Sequence, residues 1–270
     1  MSTVRLEYSH GGAVANVVLA APATRNALSR ALLDDLAAAL DTVHLAVEAR
    51  AVRALVLRHE PPVFCAGLDL RERAGVAGDG AEDSTGGGSG HALAHVIGRL
   101  MTLPAPTIAA VTGPVRAGGI GLMAACDMPV VQRDVDFSFT EVRIGVAPAI
   151  ISVPVLSRCG WSSLAAPFLT GEVFGAPEAQ RIGLVTHVAD DAADVARVVD
   201  GLCEGVMAGA PGAVAAATRL LRPAGSDPSA TMEALARMAE LSDELFATGE
   251  AAEGIAAFFE KRLPGWRAPR

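Results

Sequence analysis

The stretch 111–141 places an apolar extended run, a glycine turn and an uncharged helix in direct succession. Gly118 and Gly119 stand just before segment 120–126, which we predict to be a buried helix. Glycine lets the backbone approach a ligand closely, and the first N–H groups of a helix have no partner inside it and carry the positive end of its dipole. The N–H of Gly118 is therefore a candidate donor to an oxygen that gains negative charge.

The same stretch ends on a single acid. We predict extended segments at 129–132 and 137–141 with a charged turn between them, and the second segment ends at Glu141 among apolar or neutral neighbours. A carboxyl group at a strand end beside a donor-lined turn is a candidate acid/base. Glycine pairs before helices more often serve packing, however, so this interpretation needs a second donor elsewhere.

A second glycine turn follows the short buried strand that we predict at 53–58. In the sequence PVFCAGLDL, residues 62–70, Gly67 permits a backbone twist that would leave the N–H of Leu68 pointing into a cavity without a partner. Alone, this is an ordinary strand-to-helix turn. Together with the N–H of Gly118, it predicts two convergent backbone donors.

Composition and charge exclude several function classes. Of the 270 residues 51% are apolar, which is enough for a sizeable core. The formal net charge of −8 argues against a nucleic-acid binder, and the longest uncharged runs are shorter than the ~20 residues of a membrane span. The four cysteines are widely spaced without a CxxC pair, so we expect reduced thiols, a cytoplasmic location and no metal site.

Hydrophobic periodicity gives the coarse organisation of the remaining chain. We predict a hairpin at 4–19, a helix with Ser29 as its N-cap, and a low-complexity surface loop at 77–90. From residue 191 onward the pattern is helical, with proline and glycine breaks and too few strands for a separate sheet. We therefore expect the last quarter to cover the first domain or a neighbouring subunit.

Six segments in order, spread over nearly the whole chain, resemble the crotonase family, the enoyl-CoA hydratase/isomerase superfamily. They are ATRNALS (23–29), FCAGLDLRE (64–72), AAVTGPVRAGGIGLMAACD (109–127), FSFTEVRIGVAP (137–148), AQRIGLVTHV (179–188) and EGIAAFFEKR (253–262). Each segment alone is a weak signal, but their order and spacing together are highly specific.

The resemblance implies an α/β fold, a crotonase-like spiral of β-β-α units with a C-terminal helical region. The core with the acyl-CoA site would be residues 1–190, and residues 191–270 would cover the site and mediate assembly into a homotrimer or hexamer. The implied partner is an acyl-CoA substrate, with neither nucleic acid nor membrane. No separate cofactor is expected, because coenzyme A is part of the substrate.

The resemblance also implies roles for individual residues. The thioester carbonyl oxygen would accept hydrogen bonds from the N–H groups of Leu68 and Gly118, an oxyanion hole in which one lost donor typically costs ~10²–10³ in rate. Glu141 would be the catalytic carboxyl. The further positions that it implies for binding coenzyme A are Arg25, Ala66, Asp69, Leu70 and Lys261.

The chain departs from the family pattern at Gly121. Hydratases of the family carry two glutamates, and here the first falls on Gly121 while only Glu141 remains. A further acidic position, used by dienoyl isomerases and aryl dehalogenases, falls on Ala149, which argues against those reactions. One carboxylate suits double-bond migration, because a single base can remove a proton at C2 and return it at C4.

Against this chemical argument, the sequences of segments 115–122 and 139–152 resemble those of a branch of the family described as hydratases, including methylglutaconyl-type hydratases. We therefore predict an enoyl-CoA hydratase-like enzyme, with a Δ3-Δ2 enoyl-CoA isomerase or a non-catalytic acyl-CoA-binding homologue as alternatives. Segment 119–124 also fits the dinucleotide fingerprint G-x-G-x-x-A. That fingerprint should directly follow its strand, whereas here residues 113–117 intervene.

Overall fold

The computed structural model describes residues 2–73, 88–222 and 227–267. Most of the predicted low-complexity loop at 77–90 lies outside the described residues. The strands are β1 (Val4–Ser9), β2 (Val14–Leu19), β3 (Ala54–His59), β4 (Thr107–Val111), β5 (Val115–Arg116), β6 (Met128–Gln132), β7 (Asp136–Ser138), β8 (Phe174–Gly175) and β9 (His187–Ala189). The helices are α1 (Arg30–Glu48), α2 (Leu70–Arg73), α3 (Ser89–Thr102), α4 (Gly118–Ala124), α5 (Ala149–Arg158), α6 (Trp161–Thr170), α7 (Ala176–Arg181), α8 (Ala192–Ala208), α9 (Pro211–Leu221), α10 (Pro228–Phe246) and α11 (Gly249–Glu260).

A six-stranded sheet forms the centre of the molecule, in the order β1-β2-β3-β4-β6-β9. The predicted hairpin of β1 and β2 is antiparallel, and every later neighbour pair in this sheet is parallel. All residues of β2 and β4 are buried. Such continuous apolar strands are typical of a parallel sheet whose two faces are both covered.

Three short strands form a second sheet, in the order β5-β7-β8. β4 is followed by β5 and then α4, and β6 is followed by β7 and, after a 3₁₀ turn, α5. Each of these units contributes one strand to the large sheet, one to the small sheet and one helix. The predicted spiral of β-β-α units is therefore confirmed.

Helix α1 has the N-terminal cap that the sequence predicts. The Ser29 hydroxyl accepts the N–H of Leu32 at 3.2 Å, a bond that satisfies one of the orphan donors of the first turn. Leu36 and Leu40 follow Leu32 at helical spacing and all three are fully buried in the main core. The predicted apolar stripe is thus the surface by which α1 packs on the sheet.

The described residues after Ala192 are largely helical. Helix α8 packs on the main sheet, and α10 packs on α3 and α5. The division at residue 190 remains a prediction. No single described helix is long and apolar enough to cross a membrane; α8 and α9 together reach the required length and hydropathy but are bent by 117°.

The prediction that 137–141 is extended was wrong beyond Ser138. Strand β7 ends there, and a 3₁₀ turn, Thr140–Ile144, carries Glu141. The neighbouring strands β5 and β8 have only two residues each, so they offer no further pairing. The Ser138 hydroxyl donates to the carbonyl of Gly171 at 2.8 Å and fixes the chain at this point.

Candidate active site

One cavity opens at the N-terminus of α4 and contains five of the predicted site residues. Its other walls come from the 3₁₀ turn, the loop before α5, the start of α5, and the end of α10. The lining residues are Ala66, Gly67, Leu68, Leu70, Leu93, Ala117, Gly118, Thr140, Glu141, Ile144, Val146, Ala147, Pro148, Ala149, Ile150, Ile151, Ser242 and Phe246. Most of these side chains are apolar, so a ligand bound here would be largely removed from water.

The turn before Leu68 directs its N–H away from the chain. Gly67 has φ of +92°, a conformation that glycine adopts at little cost. Leu28 forms backbone hydrogen bonds with both neighbours of Leu68. The Leu28 N–H donates to the carbonyl of Gly67 at 2.8 Å, and the Leu28 carbonyl accepts the N–H of Asp69 at 3.3 Å. The Leu68 N–H therefore points to the opposite side, and it donates to no acceptor among the described residues.

The turn before Gly118 also has a residue with positive φ at its centre, but that residue is an alanine. Ala117 has φ of 48° and ψ of −121°, which is strained for a residue with a Cβ. Its N–H donates to the Ser138 carbonyl at 3.1 Å, and its own carbonyl accepts from Ile120 at 2.8 Å. These bonds hold the strained residue, and the Gly118 N–H at the start of α4 is left without an acceptor in the described chain.

The two turns are in direct contact. A Cβ added at Gly67 would lie 3.0 Å from the Cβ of Ala117, so the residues that precede the two donors touch. Gly118 is equally confined, since a Cβ there would lie 2.8 Å from a methyl of Leu28. Leu68 and Gly118, the residues of the two predicted donors, therefore line one cavity at adjacent turns.

The carboxyl of Glu141 is largely removed from solvent, and a backbone hydrogen bond only partly stabilises its charge. The Oε2 atom is enclosed and has no hydrogen-bond partner in the described structure, although the residue as a whole is only partly buried. Loss of solvation raises the pKa of Glu141 from 4.5 to about 8. At neutral pH the group is therefore mostly a neutral acid that faces the cavity.

Gly121, the position of the absent first glutamate, is used for helix packing. A Cβ added there would lie 2.5 Å from Cγ2 of Ile151 and 3.1 Å from Cδ1 of Ile97. Ile151 also lines the cavity. The space that a longer side chain at 121 would need is thus filled by an apolar side chain of α5. A substitution Gly121→Glu alone would displace α5, because interiors are close-packed.

The other predicted contacts of coenzyme A do not line this cavity. Arg25 is exposed, and its carbonyl accepts the N–H of Ala66 at 3.1 Å, next to the first turn. Asp69 accepts the N–H of Arg71 at 3.0 Å. Lys261 is exposed at the C-cap of α11. Their roles in binding the coenzyme A arm stay predictions.

The dinucleotide fingerprint does not have its required geometry. Gly119 and Gly121 both lie inside α4, whose first residue is Gly118. In a dinucleotide site the first glycine forms the turn between strand and helix and approaches the pyrophosphate. Here a Cβ at Gly119 would lie 2.6 Å from the Cβ of Cys65, so that glycine permits packing against the first turn.

Several residues that line the cavity were not predicted from the sequence. Ser242 and Phe246 come from α10, more than 120 residues after either glycine turn. Ile151 reads in the sequence as one apolar residue in an apolar run. Nothing local marks these positions, because only the packing of α10 and α5 brings them to the cavity.

Comparison with known proteins is consistent with this geometry. The model of the enoyl-CoA hydratase/isomerase family matches residues 9–269. A putative enoyl-CoA hydratase of Thermus thermophilus is 36% identical over 264 residues, covering 97% of this chain and 99% of that protein. An enoyl-CoA isomerase/hydratase of Mycosarcoma maydis is 30% identical, covering 93% of this chain and 91% of that protein.

A crystal structure agrees over the same length. A putative enoyl-CoA hydratase from Mycobacterium avium paratuberculosis superimposes with a TM-score of 0.82 at 38% identity, covering 98% of this chain and 99% of that one. Sequence similarity, fold and coverage of nearly the whole chain therefore indicate the same family. The chain belongs to the enoyl-CoA hydratase/isomerase family, the crotonases, and is a hydratase-like enzyme of that family.

Proposed function

We propose that this enzyme adds water to a 2-enoyl thioester of coenzyme A through an enolate held by two backbone N–H groups. One observation carries the proposal: the unpaired N–H groups of Leu68 and Gly118 and the enclosed carboxyl of Glu141 line the same cavity. Fixed donors aimed at a developing oxyanion act strongly in a site from which water is excluded. No separate cofactor enters this reaction.

The neutral acid form of Glu141 can serve both halves of hydration. As the oxygen of water bonds to C3, one of its protons passes to an oxygen of the Glu141 carboxyl. The proton on the other carboxyl oxygen passes to C2, and the thioester oxygen carries negative charge between these events. The carboxyl ends protonated, as it began, so one acid replaces the pair of glutamates found in family hydratases.

A second candidate, migration of a double bond from C3 to C2, is favoured by the apolar side chain that fills the space at Gly121. Glu141 is the only carboxyl among the residues that line the described cavity. In this reaction the ionised Glu141 removes a proton at C2, the oxyanion hole holds the dienolate, and the same carboxyl returns the proton at C4. This reaction uses the opposite protonation state.

The two reactions should differ in their pH dependence. Because kcat/KM reports the ionisation of the free enzyme, kcat/KM for hydration should be constant below about pH 8 and fall as Glu141 ionises above it. For isomerisation kcat/KM should rise up to about pH 8 and then level off. A paired assay on a 2-enoyl and a 3-enoyl thioester, following water addition and double-bond migration separately, measures both profiles.

The assay distinguishes the hydratase, the isomerase and a non-catalytic homologue. Water addition that falls above about pH 8 supports the hydratase, and dominant double-bond migration that rises toward about pH 8 supports the isomerase. Water addition that increases through the same range would contradict the role of the neutral carboxyl. Saturable binding without either reaction would identify a non-catalytic acyl-CoA-binding homologue.

We also propose that the enzyme assembles as a homotrimer or hexamer in the cytoplasm. Apolar side chains are exposed on two helices of the single chain: Trp161 is 78% exposed and Leu169 73% on α6, and Phe258 is 59% exposed on α11. Exposed apolar patches often mark association surfaces. The four cysteines are free and buried, which supports a reducing location. Light scattering should give three or six times 27.5 kDa, and a monomer would contradict the proposal.

A further inference from the structure

Ser242 carries a hydroxyl group at the cavity that the mechanism above does not use. It lies near the end of α10 and is 6% exposed. Its hydroxyl forms no hydrogen bond with any other described residue, unlike Thr218, whose hydroxyl bonds the carbonyl four residues back. Unlike Oε2 of Glu141, its oxygen is not enclosed by the protein. An accessible hydroxyl without a protein partner at the wall of a cavity is free to bond a water molecule or a ligand there.

We propose that the Ser242 hydroxyl positions the water molecule that adds to C3 of the enoyl thioester. The inference rests on the proposed hydration and adds a group that holds the water while Glu141 performs both proton transfers. The cavity has a volume of about 70 Å³, several times what one ordered water requires. Side chains that present hydrogen-bonding groups to it, among the described residues, are Thr140, Glu141 and Ser242.

Thr140 is a poorer candidate than Ser242 for this role. It adjoins Glu141 in the 3₁₀ turn, so both side chains come from one segment of the cavity wall. Ser242 comes from α10, a separate element that packs on α3 and α5. A bound water needs two or more polar partners, and groups from different walls can hold it between them. The water would donate one hydrogen to Ser242 and the other to Glu141, leaving an oxygen lone pair free for C3.

The helix that carries Ser242 packs against the core. Leu235 and Ala239 on the same helix are fully buried in the main core. A Cβ at Gly98 of α3 would lie 2.2 Å from the sulfur of Met232, which shows how closely α3 and α10 approach. A positioning group must be fixed to within a fraction of an ångström. The packing of α10 against α3 and α5 favours a fixed position for Ser242.

The test compares two reactions in the variant Ser242→Ala. Hydration should fall about 10²-fold in kcat with little change in KM, the usual cost of misplacing a reacting group. Exchange of the C2 hydrogen of a saturated acyl-CoA with deuterated solvent needs only Glu141 and the two backbone donors. That exchange should continue at the native rate, and Ser242→Thr, which keeps the hydroxyl, should recover most of the hydration.

Thr231→Ala is the matched control, because Thr231 is another buried side chain on α10, 8% exposed, that does not line this cavity. It should leave both rates unchanged. If Ser242→Ala does not fold, Ser242→Cys keeps the size with a weaker acceptor and should give the same selective loss. Unchanged hydration in a folded variant, or equal loss of hydration and exchange, would overturn the inference. Absence of both reactions in the native enzyme would instead contradict the proposed function.

Discussion

Replacing Glu141 by glutamine should lower turnover by ~10²–10⁴-fold, the usual contribution of a general acid or base, while binding of the thioester persists. The amide has nearly the size of the carboxyl and is neutral, as Glu141 itself mostly is at neutral pH. It cannot exchange a proton with C2 or with water, however. Rates on a 2-enoyl thioester and calorimetric titration with a saturated acyl-CoA would separate the two effects.

The stability of the same variant tests the state of the carboxyl. Because the pKa of Glu141 is raised in the folded protein from 4.5 to about 8, the folded state binds more protons than the unfolded state between these values. The free energy of unfolding of the native enzyme should therefore fall as pH rises through this range. This part of the pH dependence should be absent from Glu141→Gln.

An exposed glutamate provides the control for both measurements. Glu172 lies on the surface after α6, so Glu172→Gln should change neither turnover nor the pH dependence of unfolding. Full activity in a folded Glu141→Gln variant would remove this carboxyl from the mechanism. Loss of thioester binding together with activity would show that Glu141 acts in binding and would contradict its role as the proton-transfer group.

Replacing Gly67 by alanine should lower kcat by ~10²–10³-fold, the typical cost of one oxyanion donor. The new Cβ would strain a residue with φ of +92° and would lie 3.0 Å from the Cβ of Ala117. Relief of that contact must move the two turns apart, and with them the N–H groups of Leu68 and Gly118. Steady-state kinetics on a 2-enoyl thioester measure the loss.

Gly12→Ala separates this effect from simple backbone strain. Gly12 has φ of +96°, and a Cβ there would have nothing within 4 Å. Both variants should lose about 1 kcal/mol of stability from the unfavourable φ, and Gly67→Ala should lose more because its Cβ also meets Ala117. Only Gly67→Ala should lose activity. Equal kcat in the two folded variants would mean that the Leu68 N–H does not stabilise the reaction.

Local patterns carried much of the fold prediction. The period of Leu32, Leu36 and Leu40 and the cap at Ser29 specify α1 without reference to any distant residue. The apolar run 108–111 has the composition typical of a strand buried on both faces, as observed in β4. Such features succeed because helix and strand periodicity depend on neighbours along the chain.

Prediction from the sequence was wrong or silent where contacts with distant segments determine the backbone conformation. Residues 137–141 have the composition of one strand, but β7 stops at Ser138 because β5 and β8 are too short to pair further. Ala117 gives no sign of its positive φ, since alanine rarely adopts it without support from distant hydrogen bonds. Both features determine where the carboxyl and the second donor lie.

By itself the sequence determined the family, the order of the elements, the two glycine turns and the single carboxyl at Glu141. Only the tertiary structure decided that the turns touch, that Ile151 fills the space beside Gly121, and that α10 brings Ser242 to the same cavity. The reason is physical: residue type and spacing set local conformation, whereas contacts between distant segments follow from how close-packed side chains fill the interior.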